Sequence, residues 1–370
     1  RRDRMRLGVV EAKVNGEIVA GDVVIEDGLV AEVGVSPPGR KGLAAPGYID
    51  LQVNGFAGVD FLAADADGYA EAGASLARTG VTAYQPTFIS SPLSAYDEAL
   101  DVARSLQPSP GGPRVLGIHL EGPFINPAWA GAHDPLNARE PHFELAVRLC
   151  KAGPVTYMTL APELPGALGL IDQLTKRGIV VACGHCDADA PTAHAAFDRG
   201  ARAVTHIYNA QRRWQPRDPG VSGAALVRSD VIVQAIVDFV HLAPEAVFAA
   251  FLAARGRFAI VTDAIMAAGL SDGFYSLGDR EVFVAEGAAR LADGTLAGSV
   301  STMDTAVRNL VALGAGLSEA LEAASSVPAR LIGRPELGTL KPGTPADVIV
   351  LDDALAVTRT LVSGREVFAD

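Results

Sequence analysis

The chain has 370 residues, 49% hydrophobic and 20% charged, a balance that excludes a disordered or collagen-like polymer and allows a large buried core. A formal charge of -12 argues against nucleic acid or an anionic membrane as partner, and neither is expected. Three cysteines, Cys150, Cys183 and Cys186, are too few for a disulfide framework, so a reducing compartment, the cytoplasm, is expected.

Residues 7–35 alternate apolar and polar around Asn15-Gly16 and Asp27-Gly28, the pattern of short antiparallel strands joined by hairpins. This opening has charges throughout and lacks the continuous apolar segment of a signal peptide. SPPGRKG then reads as a connection. From residue 43 the texture changes to short apolar runs, each followed by an amphipathic stretch: YIDLQVN, VTAYQPT, RVLGIHLE, VTYMTLA, IVVACGH, AVTHIYN, VIVQAIVD and FAIVTD. Segments such as AYDEALDVARSLQ, ALGLIDQLTKRG and PEAVFAAFLAARG read as the helices between them. Eight strand-helix alternations predict an α/β fold, a (β/α)8 TIM-like barrel over residues 43–344. The last residues, from about 345 to 370, return to the alternating texture of the start. Short strands need neighbours, so residues 1–42 and 345–370 are expected to pair into one small β-sandwich domain. No run of about 18 apolar residues occurs, since even VIVQAIVDFV is broken by Gln234 and Asp238, and no membrane span is expected.

Glu121, His185, His206 and Asp263 end the third, fifth, sixth and eighth apolar runs. In a barrel of this kind the C-terminal strand ends form the active face. A carboxylate and two imidazoles can hold one divalent ion with a position left for water, while a further Asp moves protons. Each residue alone has a blander reading: a strand-end carboxylate caps a turn, and a lone histidine is a hydrogen-bonded structural group. Their joint placement favours the metal, because the chain has only seven histidines and two of them share the face of Glu121. Cys183 and Cys186 flank His185 as C-x-x-C, but further ligands for a structural zinc are not evident nearby, and Cys183 reads as a small buried residue. His119 falls behind the ligands, His142 and His194 read as solvated, and Glu163 in LAPE reads as a helix-start carboxylate.

PGYIDLQVNG, GIHLEGPF with GAHDP after it, TLAPE, GHCDA, THIYNA, PGVSGAAL, VTDA, LAGSVSTM and VPARLIG…LGTLKPGTPADVIVLD follow one another from about residue 43 to the end. Together they resemble the N-acetylglucosamine-6-phosphate deacetylases of the amidohydrolase superfamily. The resemblance implies that Glu121, His185 and His206 bind one divalent metal per subunit, zinc first, with Fe, Co, Mn or Ni acceptable to the same donors. It implies Asp263 as catalytic acid and base, and His133 as a contact to the sugar or the reacting carbonyl. Asn209, the backbone of Ala210, Arg217 and His241 match positions that hold a phosphate, and Met303 matches a loop near the acetyl group. A small phosphorylated amino sugar is the implied substrate, and a homodimer is implied, with the phosphate site completed across its interface. Arg212 and Arg213 read as surface residues. Gln52 and Asn54 stand where many superfamily members carry His-x-His for a second metal, which points to a mononuclear site. Gln211 and Phe239 also depart from the family pattern. The alternatives are another amide hydrolase of the superfamily, or a catalytically silent sugar-phosphate binder on the same barrel.

Overall fold

The computed structural model describes residues 4–107 and 111–370, so residues 1–3 of the expected terminal domain lie outside the described residues. Eight parallel strands follow in chain order: β1 Tyr48–Val53, β2 Val81–Phe88, β3 Ile118–Glu121, β4 Val155–Leu160, β5 Val180–Cys183, β6 Ala203–Val204, β7 Ile232–Ile236 and β8 Phe258–Val261. Each pairs with the next. Just past β8 the Asp263 N–H donates to the Gln52 carbonyl at 2.8 Å and the Asn54 N–H to the Ala264 carbonyl at 2.7 Å, which brings the last strand beside the first. Every residue of β1 and β2 is buried, as required of strands covered on both faces.

Helices α1 Ala66–Ala77, α2 Leu93–Ser105, α3 Phe143–Ala152, α4 Ala167–Thr175, α5 Ala190–Asp198, α6 Gly220–Leu226, α7 Pro244–Ala253 and α8 Met303–Ala312 surround the strands. Their starts are set locally. Asp65 and Asp189 accept the backbone N–H of Gly68 and Thr192, and Pro191 and Pro244 stand in first turns where no intrahelical donor is lost. In α2 the residues Tyr96, Ala99, Leu100 and Ala103 form one buried stripe at helical spacing. Truncating the fully buried Leu100 to Ala should cost about 2–5 kcal/mol, read by denaturant unfolding.

The chain ends build two further sheets. One has six strands in the order Arg365–Ala369, Val357–Val362, Val348–Leu351, Leu43–Pro46, Glu11–Val14, Glu17–Ala20; the other has Arg4–Arg6, Asp22–Glu26 and Leu29–Val35. Val9, Val23, Ile25 and Val30 pack with Val348, Val350 and Leu361 in one apolar cluster between them. Leu43–Pro46 pairs with strands from both chain ends, so the first residues of the stretch assigned to the barrel run in the terminal sheet before the chain enters β1.

A third sheet was not anticipated from the apolar runs. It is antiparallel, with strands Gly273–Leu277, Arg280–Ala285, Ala288–Arg290 and Leu296–Ser299 inserted between β8 and α8. Leu277, Val282, Val284 and Ala297 pack on Ile89, Ala132 and Ile265, so the sheet is clamped over the barrel mouth. No described helix is long and apolar enough to cross a membrane.

Candidate metal centre

Glu121 closes β3, His185 lies two residues past β5, His206 two past β6 and Asp263 two past β8. Three of the four have a left-handed backbone: φ is +47° at His185, +26° at His206 and +50° at Asp263. Such a conformation costs a non-glycine residue about 1–2 kcal/mol, and it persists only where the surroundings fix it. Here they do. The Asn126 N–H donates to the His185 carbonyl at 3.0 Å, the Asn209 N–H to the His206 carbonyl at 3.0 Å, and the Ser299 N–H to the Asp263 carbonyl at 2.8 Å. The last bond needs Gly298, where φ is +63° and a Cβ would lie 2.8 Å from the Asp263 carbonyl oxygen.

These side chains meet at one carboxylate. Glu121 Oε1 lies 3.0 Å from His185 Nε2 and 2.8 Å from His206 Nε2, and one ligand atom from each of the three residues falls within 4.8 Å of the others. All three are buried. His185 Nδ1 is 2.9 Å from the Trp129 carbonyl, which only accepts, so Nδ1 carries the proton. When Nε2 carries its lone pair, it then faces an oxygen that is itself an acceptor. Two acceptors at that distance need a proton or a cation between them, and the donor set suits a divalent ion. His206 points the same way: burial lowers its pKa, but the Glu121 carboxylate outweighs burial and lifts it above the ordinary imidazole value. Burial would likewise raise Glu121, yet the charge of His185 and hydrogen bonds from the three histidines hold it well below the usual range.

His133 completes the ring of groups. Its Nδ1 accepts the Ser90 N–H at 3.2 Å, which leaves the proton on Nε2, 3.2 Å from Glu121 Oε2. Burial, and next the neighbouring His185, push its pKa down to about 4, so it is a neutral N–H donor at pH 7.

Gln52 and Asn54 act as donors toward the acids. Gln52 Nε2 reaches Glu121 Oε1 at 2.8 Å and Asp263 Oδ1 at 3.3 Å, and Asn54 Nδ2 reaches Asp263 Oδ1 at 2.7 Å. Amide N–H groups therefore face Asp263 on this side, and an N–H cannot ligate a cation. Burial first, and the Glu121 charge second, raise Asp263 to about 6.

The cavity over this cluster is lined by Asn54, Glu121, His133, His185, His206, Asn209, Ala210, His241 and Asp263 among others. His241 is fixed by its Nδ1–H, donated to Asp238 Oδ2 at 2.7 Å. Gln211 braces the loop beneath Asn209, donating to the carbonyls of Thr205 and Asn209. Two of the residues matched by resemblance lie off the cavity of their own chain. Met303 is fully buried in the main core at the head of α8, and Arg217 is exposed on the loop before α6. Other lining residues went unflagged: Leu277, Thr295, Leu296 and Gly298 come from the inserted sheet. The turn signals Glu286-Gly287 and Asp293-Gly294 between alternating residues are the trace of that sheet in the sequence.

A (β/α)8 barrel that gathers a Glu, two His and an Asp at its strand ends defines a metal-dependent hydrolase. The chain belongs to the amidohydrolase family, whose model matches residues 43–367. It is 39% identical over 343 residues to N-acetylglucosamine-6-phosphate deacetylase of Danio rerio, covering 88% of this chain and 84% of the relative. It is 38% identical over 350 residues to N-acetylgalactosamine-6-phosphate deacetylase of Escherichia coli O157:H7, covering 92% and 93%. Among solved structures it superposes, with a TM-score of 0.94 and 34% identity, on an Asp-to-Ala mutant of N-acetyl-D-glucosamine-6-phosphate deacetylase from Mycobacterium smegmatis in complex with N-acetyl-D-glucosamine 6-phosphate, covering 99% of this chain and 100% of that one.

Proposed function

We propose that this chain hydrolyses the acetamide of N-acetylglucosamine 6-phosphate, giving glucosamine 6-phosphate and acetate. The observation that carries the reading is the convergence of Glu121, His185 and His206 within 4.8 Å of one another in a cavity also lined by Asp263 and His133. Glu121, His185 and His206 would hold one divalent ion, with zinc the first candidate for this donor set. When bound, such an ion lowers the pKa of water to about 7 and polarises a carbonyl oxygen. Asp263 accepts the proton of the attacking water and returns it to the sugar nitrogen as the C–N bond breaks. His133, with its proton on Nε2, donates to the developing oxyanion, a contribution of about 2.7–4 kcal/mol where a comparable donor has been removed elsewhere. Three free cysteines, two of them buried, fit a cytoplasmic location.

Incubation with the 6-phosphorylated and the unphosphorylated acetylamino sugars, followed by assay of free amine, tests the assignment. Turnover of the phosphorylated sugar is expected; no amine from any of them would overturn it. The resemblance to an N-acetylgalactosamine-6-phosphate deacetylase at 38% identity supports a second reading, the C4 epimer as substrate. The same assay with both epimers decides between them by kcat/KM.

The phosphate would be held by Asn209, the Ala210 backbone and His241 from one subunit and by Arg217 from its partner in a homodimer. Arg217 is exposed and off its own cavity, as a residue serving another copy would be. Arg217→Ala should raise KM for the phosphorylated sugar about tenfold or more with kcat nearly kept, since the lost contact is remote from the reacting bond. Mixing Arg217→Ala with Asp263→Asn subunits should restore a low KM in hybrid dimers. An unchanged KM in the single variant would place the phosphate elsewhere.

A further inference from the structure

We infer that Glu163 is a positioning residue for His185, acting through the two loops that flank the imidazole. This rests on the reading of Glu121, His185 and His206 as metal ligands. Glu163 follows β4 and is not a helix cap: α4 starts four residues later behind Gly166, which provides no side-chain cap. Its Oε1 instead accepts two hydrogen bonds, from Asn126 Nδ2 at 2.9 Å and from the Asp187 N–H at 2.6 Å. Asn126 belongs to the loop after β3, and Asp187 lies two residues beyond His185. One carboxylate oxygen thus ties together the two chain segments between which the ring is held.

Each tie leads to the ring by a short path. Asn126 donates its N–H to the His185 carbonyl at 3.0 Å. Its side-chain oxygen takes the Ala128 N–H at 3.0 Å and its carbonyl takes the Trp129 N–H at 2.9 Å, which folds residues 126–129 into a turn. That turn presents the Trp129 carbonyl to His185 Nδ1 at 2.9 Å, the bond that fixes the tautomer and leaves Nε2 as the ligand atom. On the other side, Glu163 anchors Asp187, and Arg212 extends the clamp by donating to the Asp187 carbonyl at 3.0 Å. His185 has φ of +47°, so its loop reaches the site only while both flanks are tied. Glu163 touches none of the three ligands and does not line the cavity. Its effect is therefore on ring orientation, and the property it sets is metal affinity.

The test compares wild type, Glu163→Ala and Glu163→Gln after removal and replacement of metal. Zinc affinity is measured by competition with a chromophoric chelator, and ring geometry by the visible absorption bands of the cobalt-loaded protein. The melting temperature of each metal-free protein is recorded alongside. Loss of an outer partner of a ligating histidine typically weakens metal binding about 10–100-fold, and that is expected of Glu163→Ala together with altered cobalt bands. Glu163→Gln keeps an acceptor for Asn126 and Asp187 and should stay near wild type in both readouts. Glu163→Ala with unaltered zinc affinity and cobalt bands, whatever its melting temperature, would overturn the inference and leave Glu163 as structural glue. If Glu163→Ala does not fold, Asn126→Ala, which removes the Glu163 tie to this turn and the bond from the Ala128 N–H while keeping the backbone bonds to Trp129 and His185, should weaken zinc binding, and unchanged affinity there also overturns the idea. Failure of the wild type to bind zinc would instead overturn the metal site itself.

Discussion

Replacing Asp263 with Asn lowers kcat by about 10²–10⁴-fold while the metal stays bound, the range set by loss of a positioned general acid-base. The change is close to isosteric, and an Asn oxygen can still accept from Asn54 Nδ2 and Gln52 Nε2, which now meet Asp263 Oδ1 at 2.7 and 3.3 Å. What is lost is the second oxygen's capacity to take and return a proton. The pH profile separates this from a binding defect. Burial, followed by the Glu121 charge, raises Asp263 to about 6, and the base must be ionised to work, so wild-type kcat/KM falls on the acid side. A bound cation offsets the Glu121 charge and moves that limb below 6; the Asn variant has no such limb. Stability runs the other way. A carboxyl whose folded pKa lies above its unfolded value favours the folded state at low pH, and that contribution is lost as pH rises through about 6. Metal-free Asp263→Asn should therefore melt at or above metal-free wild type at pH 8, with the advantage gone below pH 4. A kcat within tenfold of wild type would remove Asp263 from its role.

The barrel was legible because its signals are local. Runs such as Val81–Phe88 are buried at every position, and Asp65, Asp189 and Pro244 mark helix starts by side-chain chemistry confined to a few residues. The four groups at the strand ends were legible for the same reason, since the fold places every such end on one face. The inserted sheet was harder to read. Its strands are three to six residues long and partly exposed, and Phe274 and Phe283 meet as a tilted pair of exposed rings, so no continuous apolar run announces it. Its value to the cavity depends on where β8 delivers it. Glu163 was misread as a helix-start group because its partners Asn126 and Asp187 are 37 and 24 residues away in the chain. Arg217 and Met303 show the opposite limit. Their motifs match a family, yet within one chain neither reaches the cavity, because a motif fixes residue type and order but not the surface that completes a site.

Removing the metal should lower turnover by at least about 100-fold, because free water is far less acidic than water on such an ion, whose pKa is about 7. Glu121, His185 and His206 supply three donors at one point, whereas Gln52 and Asn54 present amide hydrogens to Glu121 and Asp263. An amide N–H cannot ligate, and turning either amide round would set its oxygen against a carboxylate that now accepts its hydrogen. One equivalent of zinc or cobalt per chain should therefore restore full activity to chelated enzyme, with no gain from a second. Glu121→Gln, which replaces the shared carboxylate by a weak ligand and leaves two imidazoles, should lose metal affinity far more than Gln52→Ala does. Chelation should also lower the melting temperature, since an ion bound only by the folded state stabilises it by mass action, about 4.1 kcal/mol at a free concentration 1,000 times Kd. Full recovery that required two equivalents would show that Gln52 and Asn54 do not exclude a second ion. In that case the hydrogen bonds from these amides to Glu121 and Asp263 would have to break on loading, and the proton-transfer geometry of Asp263 would have to be rebuilt around two charges.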